Sequence, residues 1–158
     1  MADVTPLSKN SAILPELFER WFESRGWEAR DHQLTLAALA REGRSVLLTA
    51  PTGGGKTLAG FLPSLIALAN HEGEPPAGLH TLYISPLKAL SVDVARNLEA
   101  PAVEMALPIS IETRTGDTPQ SKRVRQRKKP PHILLTTPES LALLLSYADA
   151  PRMFGKLQ

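Results

Sequence analysis

The sequence predicts an α/β fold, a parallel sheet flanked by helices, and two observations carry that expectation. Apolar stretches alternate with helical patterns along most of the 158 residues, the arrangement of a parallel sheet joined by right-handed crossovers. One such stretch, Ser45-Val46-Leu47-Leu48-Thr49, runs into the glycine-rich segment Ala50-Pro51-Thr52-Gly53-Gly54-Gly55-Lys56-Thr57, and then into the helical pattern Leu58-Ala59-Gly60-Phe61-Leu62. Strand, glycine-rich turn and helix in that order form the setting of a phosphate-binding loop.

The chemistry of such a loop follows from its backbone. Glycine lacks Cβ, so Gly53, Gly54 and Gly55 can take positive φ and curl their N–H groups inward. A helix starting near Lys56 adds its partial positive charge. Lys56 would reach the β- and γ-phosphates of a nucleotide as a point charge, and Thr57 would place its hydroxyl on Mg²⁺. A flexible surface turn would explain the glycines, but not the Lys-Thr pair or the apolar strand before it. The general pattern has Gly where this chain has Ala50, a position that closes the strand rather than cradling phosphate.

The elements follow in order. Residues 1–13 read as a flexible arm, with neither the basic start nor the apolar core of a secretory signal. Helix one follows Pro15 with Leu17, Phe18, Trp21 and Phe22 on one face, and Gly26 breaks it. Helix two runs from Asp31, a candidate N-cap, to Arg41, with Gly43 just beyond. The first strand is 45–49, and its helix extends to about Asn70, kinked or broken at Pro63. A surface loop covers 71–78. Strand two, 79–85, is near-continuously apolar, as if covered on both faces. Helices follow over 88–98 and 102–107, then strand three over 109–113. The basic run forms a helix or helical loop, strand four covers 132–136, and a last helix covers 139–146.

Composition narrows the class. Hydrophobic residues make up 42% and charged residues 22%, as in a globular chain with a real core. No apolar run approaches the roughly 18 residues of a membrane span. The absence of cysteine excludes disulfides and thiolate metal sites and is compatible with the cytoplasm. The four histidines show no ligand spacing. Net charge is +2, but Lys122, Arg123, Arg125, Arg127, Lys128 and Lys129 crowd into one short run. Without these six, 12 basic residues face 16 acidic ones, so the basicity is local. Such a run is either a solvated helix face or a phosphate-contacting patch.

Three further segments fall at carboxyl ends of predicted strands, where open α/β sheets place ligands. They are Pro86-Leu87-Lys88-Ala89-Leu90, Thr115-Gly116-Asp117-Thr118 and Thr136-Thr137-Pro138-Glu139-Ser140. Each opens a helix and so offers free N–H groups. Thr136 or Thr137 caps its helix, with Pro138 and Glu139 favourable in the first turn. Each alone is ordinary capping; as a row they could track a phosphodiester backbone without reading bases. Upstream, Gln33 could pair with an adenine edge and Arg30 stack on the base. The same residues read equally well as a helix start with a solvent-exposed Gln.

In this order the motifs resemble the first RecA-like domain of superfamily 2 DEXH-box helicases, across about residues 14–158. The likeness is greatest to the large helicase-related type, in particular its bacterial DNA-ligase-associated branch. Residues 30–33 (RDHQ) are similar to the adenine-reading Q motif and 50–57 (APTGGGKT) to motif I. Residues 85–90 (SPLKAL) are similar to motif Ia, 115–118 (TGDT) to motif Ib, and 136–141 (TTPESL) to the DNA-backbone motif that follows. The resemblance implies adenine contacts from Arg30 and Gln33, and phosphate contacts from Thr52, Gly53, Gly54, Gly55, Lys56 and Thr57 with Mg²⁺ at Thr57. It implies that Lys88, Gly116 and Thr137 lie near DNA, with Pro86, Asp117, Pro138 and Glu139 in the same motifs, and it draws the basic run toward nucleic acid. No strand here ends in the Asp-Glu pair that such an enzyme needs to hold Mg²⁺, so the chain reads as an N-terminal fragment truncated before the DEXH strand. The expectation is part of an ATP-dependent DNA helicase acting in DNA repair, with ligase or nuclease partners and no membrane. The fragment itself is expected not to hydrolyse ATP. The alternative is a non-catalytic nucleic-acid-binding module.

Overall fold

A computed structural model describes residues 13–71, 73 and 75–158. The expected arm over 1–13 lies outside these residues except for Ile13, as does part of the 71–78 loop. The chain forms two compact units, divided between Asn70 and His71.

The first unit is helical among the described residues. α1 (Glu16–Ser24) buries Phe18, Trp21 and Phe22. α2 (Asp31–Arg41) packs on α3 (Lys56–Ala69), burying Leu34 and Ala37 on one side and Ala59, Phe61, Leu62, Leu65, Ile66 and Leu68 on the other. α3 runs through Pro63 without the break that proline suggests. An interior proline costs about 3 kcal/mol. Each fully buried apolar side chain returns about 1.5–3 kcal/mol, and α3 buries several on both sides of Pro63. Asp31 is the first helical residue rather than the cap; Arg30 holds the N-cap position with extended backbone.

The expected strand over 45–49 does not form. Val46 is 41% exposed and Leu47 89%. An extended segment becomes a strand only when a neighbour takes up its N–H and C=O groups, and among the described residues 45–49 have no ladder partner.

The second unit holds a parallel sheet. β1 (Thr81–Ile84), β2 (Ile111–Arg114) and β3 (Ile133–Thr136) are ordered β1-β3-β2, with Thr81 and Ile111 both opposite Ile133. β3 is buried throughout, and its Leu134 joins Leu79, Leu144 and Met153 in the core. β1, expected to be covered on both faces, is only partly buried and Ile84 is exposed; among the described residues it is an edge strand, paired with β3.

α4 (Lys88–Glu104) replaces the two helices expected there. Ser91, Val94, Ala95, Leu98, Pro101 and Ala102 form one buried stripe at helical spacing, and that stripe carries the helix past Pro101. α5 (Gln120–Lys128) is the basic run, α6 (Pro138–Leu145) follows β3, and the unpredicted short α7 (Ala150–Phe154) buries Ala150 and Met153. No helix of the described residues is long and apolar enough to cross a membrane.

Three helices end in one motif. After α1, α2 and α4, the next-but-one residue is left-handed: Gly26 at φ 62°, Gly43 at φ 70° and Ala106 at φ 51°. Each time two N–H groups close back on the last turn, at 2.8–3.1 Å: Gly26 to Glu23 and Trp27 to Phe22, Gly43 to Ala40 and Arg44 to Leu39, Ala106 to Val103 and Leu107 to Ala102. Ala106 alone carries a Cβ in that conformation, at a cost of about 1–2 kcal/mol. Ala106→Gly is therefore expected to raise stability by about 1 kcal/mol in urea denaturation, while Gly26→Ala and Gly43→Ala lower it; a destabilised A106G would contradict the motif.

Candidate functional site

The glycine-rich segment forms a curled loop leading into α3. Gly53 and Gly55 are left-handed, at φ 78° and 73°. Gly54 is buried, and its N–H donates to the Pro51 carbonyl at 3.0 Å. A Cβ on Gly54 would fall 2.8 Å from that same carbonyl oxygen, and one on Gly55 would fall 2.8 Å from the Gln33 side-chain nitrogen. Each glycine is therefore required for its own reason: conformation at 53, space at 54, both at 55. Gly55 caps α3 with no side-chain acceptor, so the first-turn N–H groups and the helix dipole serve the loop. Lys56 Nζ donates to the carbonyls of Ala50 and Pro51, both at 2.7 Å, which seats the ammonium on the loop itself.

The start of α2 clamps this loop. Arg30 donates to the Gly53 carbonyl at 3.1 Å, and Gln33 Nε2 to that of Gly55 at 3.4 Å. Gln33 Oε1 accepts the Arg30 backbone N–H at 2.9 Å, one half of a capping box. Gln33 is buried, contrary to a solvent-exposed reading. Both residues contact the loop directly, and these bonds leave the Gln33 amide one further donor and one further acceptor position. Thr52 and Thr57 are exposed. All eight residues expected to bind nucleotide therefore lie in one constellation.

The three strand-end segments of the second unit also converge. Lys88, at the start of α4, pairs with Asp117 at 3.1 Å, and a Cβ on Gly116 would meet Lys88 Nζ at 3.4 Å. The Thr115–Thr118 turn is held internally, with Thr115 N–H donating to Thr118 Oγ1 at 2.9 Å and Asp117 N–H to Thr115 Oγ1 at 3.3 Å. Thr137, not Thr136, caps α6 by accepting from Ser140 N–H at 3.4 Å, and Pro138 opens the helix. Thr136 instead donates to the Arg114 carbonyl at 2.8 Å, stitching β3 to β2. The Glu139 carboxyl is held below its usual range by its own backbone N–H first, then by the Thr137 hydroxyl and the charge of Lys88. Pro86, Lys88, Gly116, Asp117, Pro138 and Glu139 are exposed, while Thr137 is buried by its capping role.

Two arginines beneath the turn were not evident from the sequence. Arg114 is 1% exposed and donates to the Arg123 carbonyl at 3.0 Å. Burial lowers its pKa, with the charges of Arg123 and Arg127 acting the same way and Tyr147 opposing. Arg123 donates in turn to the carbonyls of Thr115 and Gly116. Composition placed Arg123 in a charge run and gave no sign of its fixed task.

A curled loop on a helix N-terminus, sealed by a lysine, marks a nucleotide-binding protein of the phosphate-loop class. The chain belongs to the DEAD/DEAH box helicase family, whose model matches residues 30–158. It is 42% identical over 153 residues to the Lhr helicase/probable uracil glycosylase of Mycolicibacterium smegmatis, covering 90% of this chain and 10% of that protein. It is 40% identical over 157 residues to the ATP-dependent helicase Lhr-Core of Methanothermobacter thermautotrophicus, covering 92% and 18%. The structure of Mycobacterium smegmatis helicase Lhr bound to ssDNA and AMP-PNP superposes with a TM-score of 0.80 at 38% identity, over 94% of this chain and 20% of that one. The fold is thus that of RecA-like helicase domains and the resemblance to the large helicase-related type holds, with the chain spanning a tenth to a fifth of these relatives.

Gly54→Ala is expected to displace the Pro51 carbonyl and weaken binding of a fluorescent ATP analogue by at least tenfold, with far-UV circular dichroism unchanged. Unaltered affinity would show that the loop tolerates a Cβ where the backbone leaves no room.

Proposed function

We propose that this chain is the nucleotide-gripping part of an ATP-dependent DNA helicase or translocase of the DNA-ligase-associated branch. The observation that carries the reading is the clamped loop: Gly53–Gly55 curled, Lys56 at its rim, Arg30 and Gln33 bracing it. Arg30 and Gln33 face the adenine. Thr52 to Thr57 receive the phosphates through main-chain N–H groups and the Lys56 ammonium. The fit of a phosphate chain is supported by the tightness of the curl: at Gly54 and Gly55 the main chain packs where a Cβ would fall 2.8 Å from the Pro51 carbonyl and the Gln33 amide.

Mg²⁺ bound with ATP would neutralise phosphate charge as the terminal phosphoryl group leaves. The Thr57 hydroxyl, in the first turn of α3, is the group here suited to hold it. The 158 residues contain no Asp-Glu pair to complete that coordination or orient the attacking water. We therefore assign nucleotide binding, and not turnover, to these 158 residues. Lys88, Gly116, Asp117, Thr137, Pro138, Glu139 and Pro86 would track a DNA backbone through strand-end turns, in support of work in DNA repair alongside a ligase or nuclease. A cysteine-free composition is in keeping with the cytoplasm. A non-catalytic module resting on the whole basic run is less well supported, because Lys122 and Arg125 pair with Glu112, and Arg127 with Asp149.

Titration with a fluorescent ATP analogue is expected to show weak, Mg²⁺-dependent binding that Lys56→Ala abolishes, with no phosphate release above background. Binding unaffected by K56A, or robust hydrolysis by the purified chain, would overturn the assignment.

A further inference from the structure

The basic run divides into two halves with different surroundings. Lys122, Arg123 and Arg125 are bound to Glu112 and to turn carbonyls. The rear half turns up elsewhere, around a cavity of about 250 Å³ at the opposite ends of the strands. Arg127, Lys128 and Lys129 line it together with Arg152 of α7 and Lys156 beyond it. Its apolar floor includes Pro130 and Met153. Residues 130 and 78 precede β3 and β1, so the cavity lies at the amino ends of a parallel sheet whose strand-end turns all lie at the carboxyl ends.

The ring is built by three segments that sequence alone does not join. Arg127 is fixed at 2.7 Å from Asp149 and stacks over Tyr147 at 3.8 Å. Arg152 reaches Asp149 at 3.6 Å and the Arg127 carbonyl at 3.4 Å. Lys156 donates to the Ala77 carbonyl at 2.9 Å, its stem lying against Gly78, where a Cβ would meet it at 3.0 Å. Five cations thus line the cavity, and two of them, Arg127 and Arg152, share the one carboxylate Asp149, whose pKa is pulled down chiefly by its hydrogen bond from Arg127. The carboxyl end of α5 offsets about half of one positive charge. Lys128 and Lys129 are exposed, and no carboxylate among the described residues pairs with either. An excess of about three and a half positive charges around a concave site suits an anion of several charges.

We propose that this cavity is a second nucleic-acid contact, binding phosphodiester groups of a single strand at the sheet edge remote from the strand-end turns. Lys128 and Lys129 each meet one phosphate, Arg152 and Lys156 flank them, and Met153 and Pro130 lie under the sugar. The inference rests on the reading that the chain handles DNA, but not on the turns that would track it.

The test is the salt dependence of binding of a fluorescent single-stranded oligonucleotide to the 158-residue chain. Each phosphate contact contributes about 0.7 to the slope of log K against log salt. Lys128→Ala/Lys129→Ala is expected to lower the slope by about 1.4, Lys129→Glu alone to lower it clearly, and Arg20→Ala/Arg44→Ala, which removes the same charge elsewhere, to leave it unchanged. Circular dichroism verifies folding. A slope unchanged in both lysine variants overturns the proposal, as does an equal loss in the Arg20/Arg44 control. Lys88→Ala, run in parallel, reports the turns separately: loss there alone sinks the cavity and spares the turns, and loss from the lysine pair alone does the reverse. If the lysine pair abolishes binding of tripolyphosphate but not of the oligonucleotide, the cavity serves a free polyanion and the nucleic-acid assignment fails.

Discussion

The structure depends most on the shape of three consecutive peptides, Gly53 to Gly55. Two of them require left-handed backbone and two sit where no side chain fits. A curl of this kind does not hold itself, since left-handed glycine gains little over the alternatives open to it. It is braced from outside: α2 packs on α3, and that packing delivers Arg30 and Gln33 to the loop carbonyls. The packing of α2, with its buried Leu34 and Ala37, on α3 is thus part of the site's construction.

The second unit solves a different problem, that of concentrating positive charge without self-repulsion. Its arginines are directed to carbonyl oxygens as much as to carboxylates. Arg114 donates to the Arg123 backbone, Arg123 to the turn, and Arg152 to the Arg127 backbone. A carbonyl dipole stabilises a guanidinium without cancelling its charge. The helix carrying the run therefore packs on β2, through buried Gln126 and its bonds to Glu112 and Thr113, while its basic face stays positive.

The sequence was most legible where backbone geometry demands one residue type. Gly26 and Gly43 mark the ends of α1 and α2 because left-handed C′ positions favour glycine; α4 ends the same way on Ala106, and no residue type signals it. Prolines misled in the other direction. Pro63 read as a kink or break, and 88–107 as two helices, yet the buried stripes of α3 and α4 carry each helix through its proline. The segment 45–49 has the composition of a strand, but strand formation is a property of pairs and among the described residues no strand pairs with it. For the site, Lys56 and the glycines were visible as a motif. Burial of Gln33 and the bond from Arg123 to the turn were not, because each depends on contacts between residues far apart in the chain.

Among the described residues no strand pairs with the outer side of β1 or of β2, and Leu47, close in sequence to the loop, is almost wholly exposed. Open ladders and bare leucine are the ingredients of sticky association between copies. Handling this polypeptide at high concentration thus becomes a colloidal question: dilution, ionic strength and a soluble fusion will govern how long it stays dispersed, independently of how firmly its interior is packed.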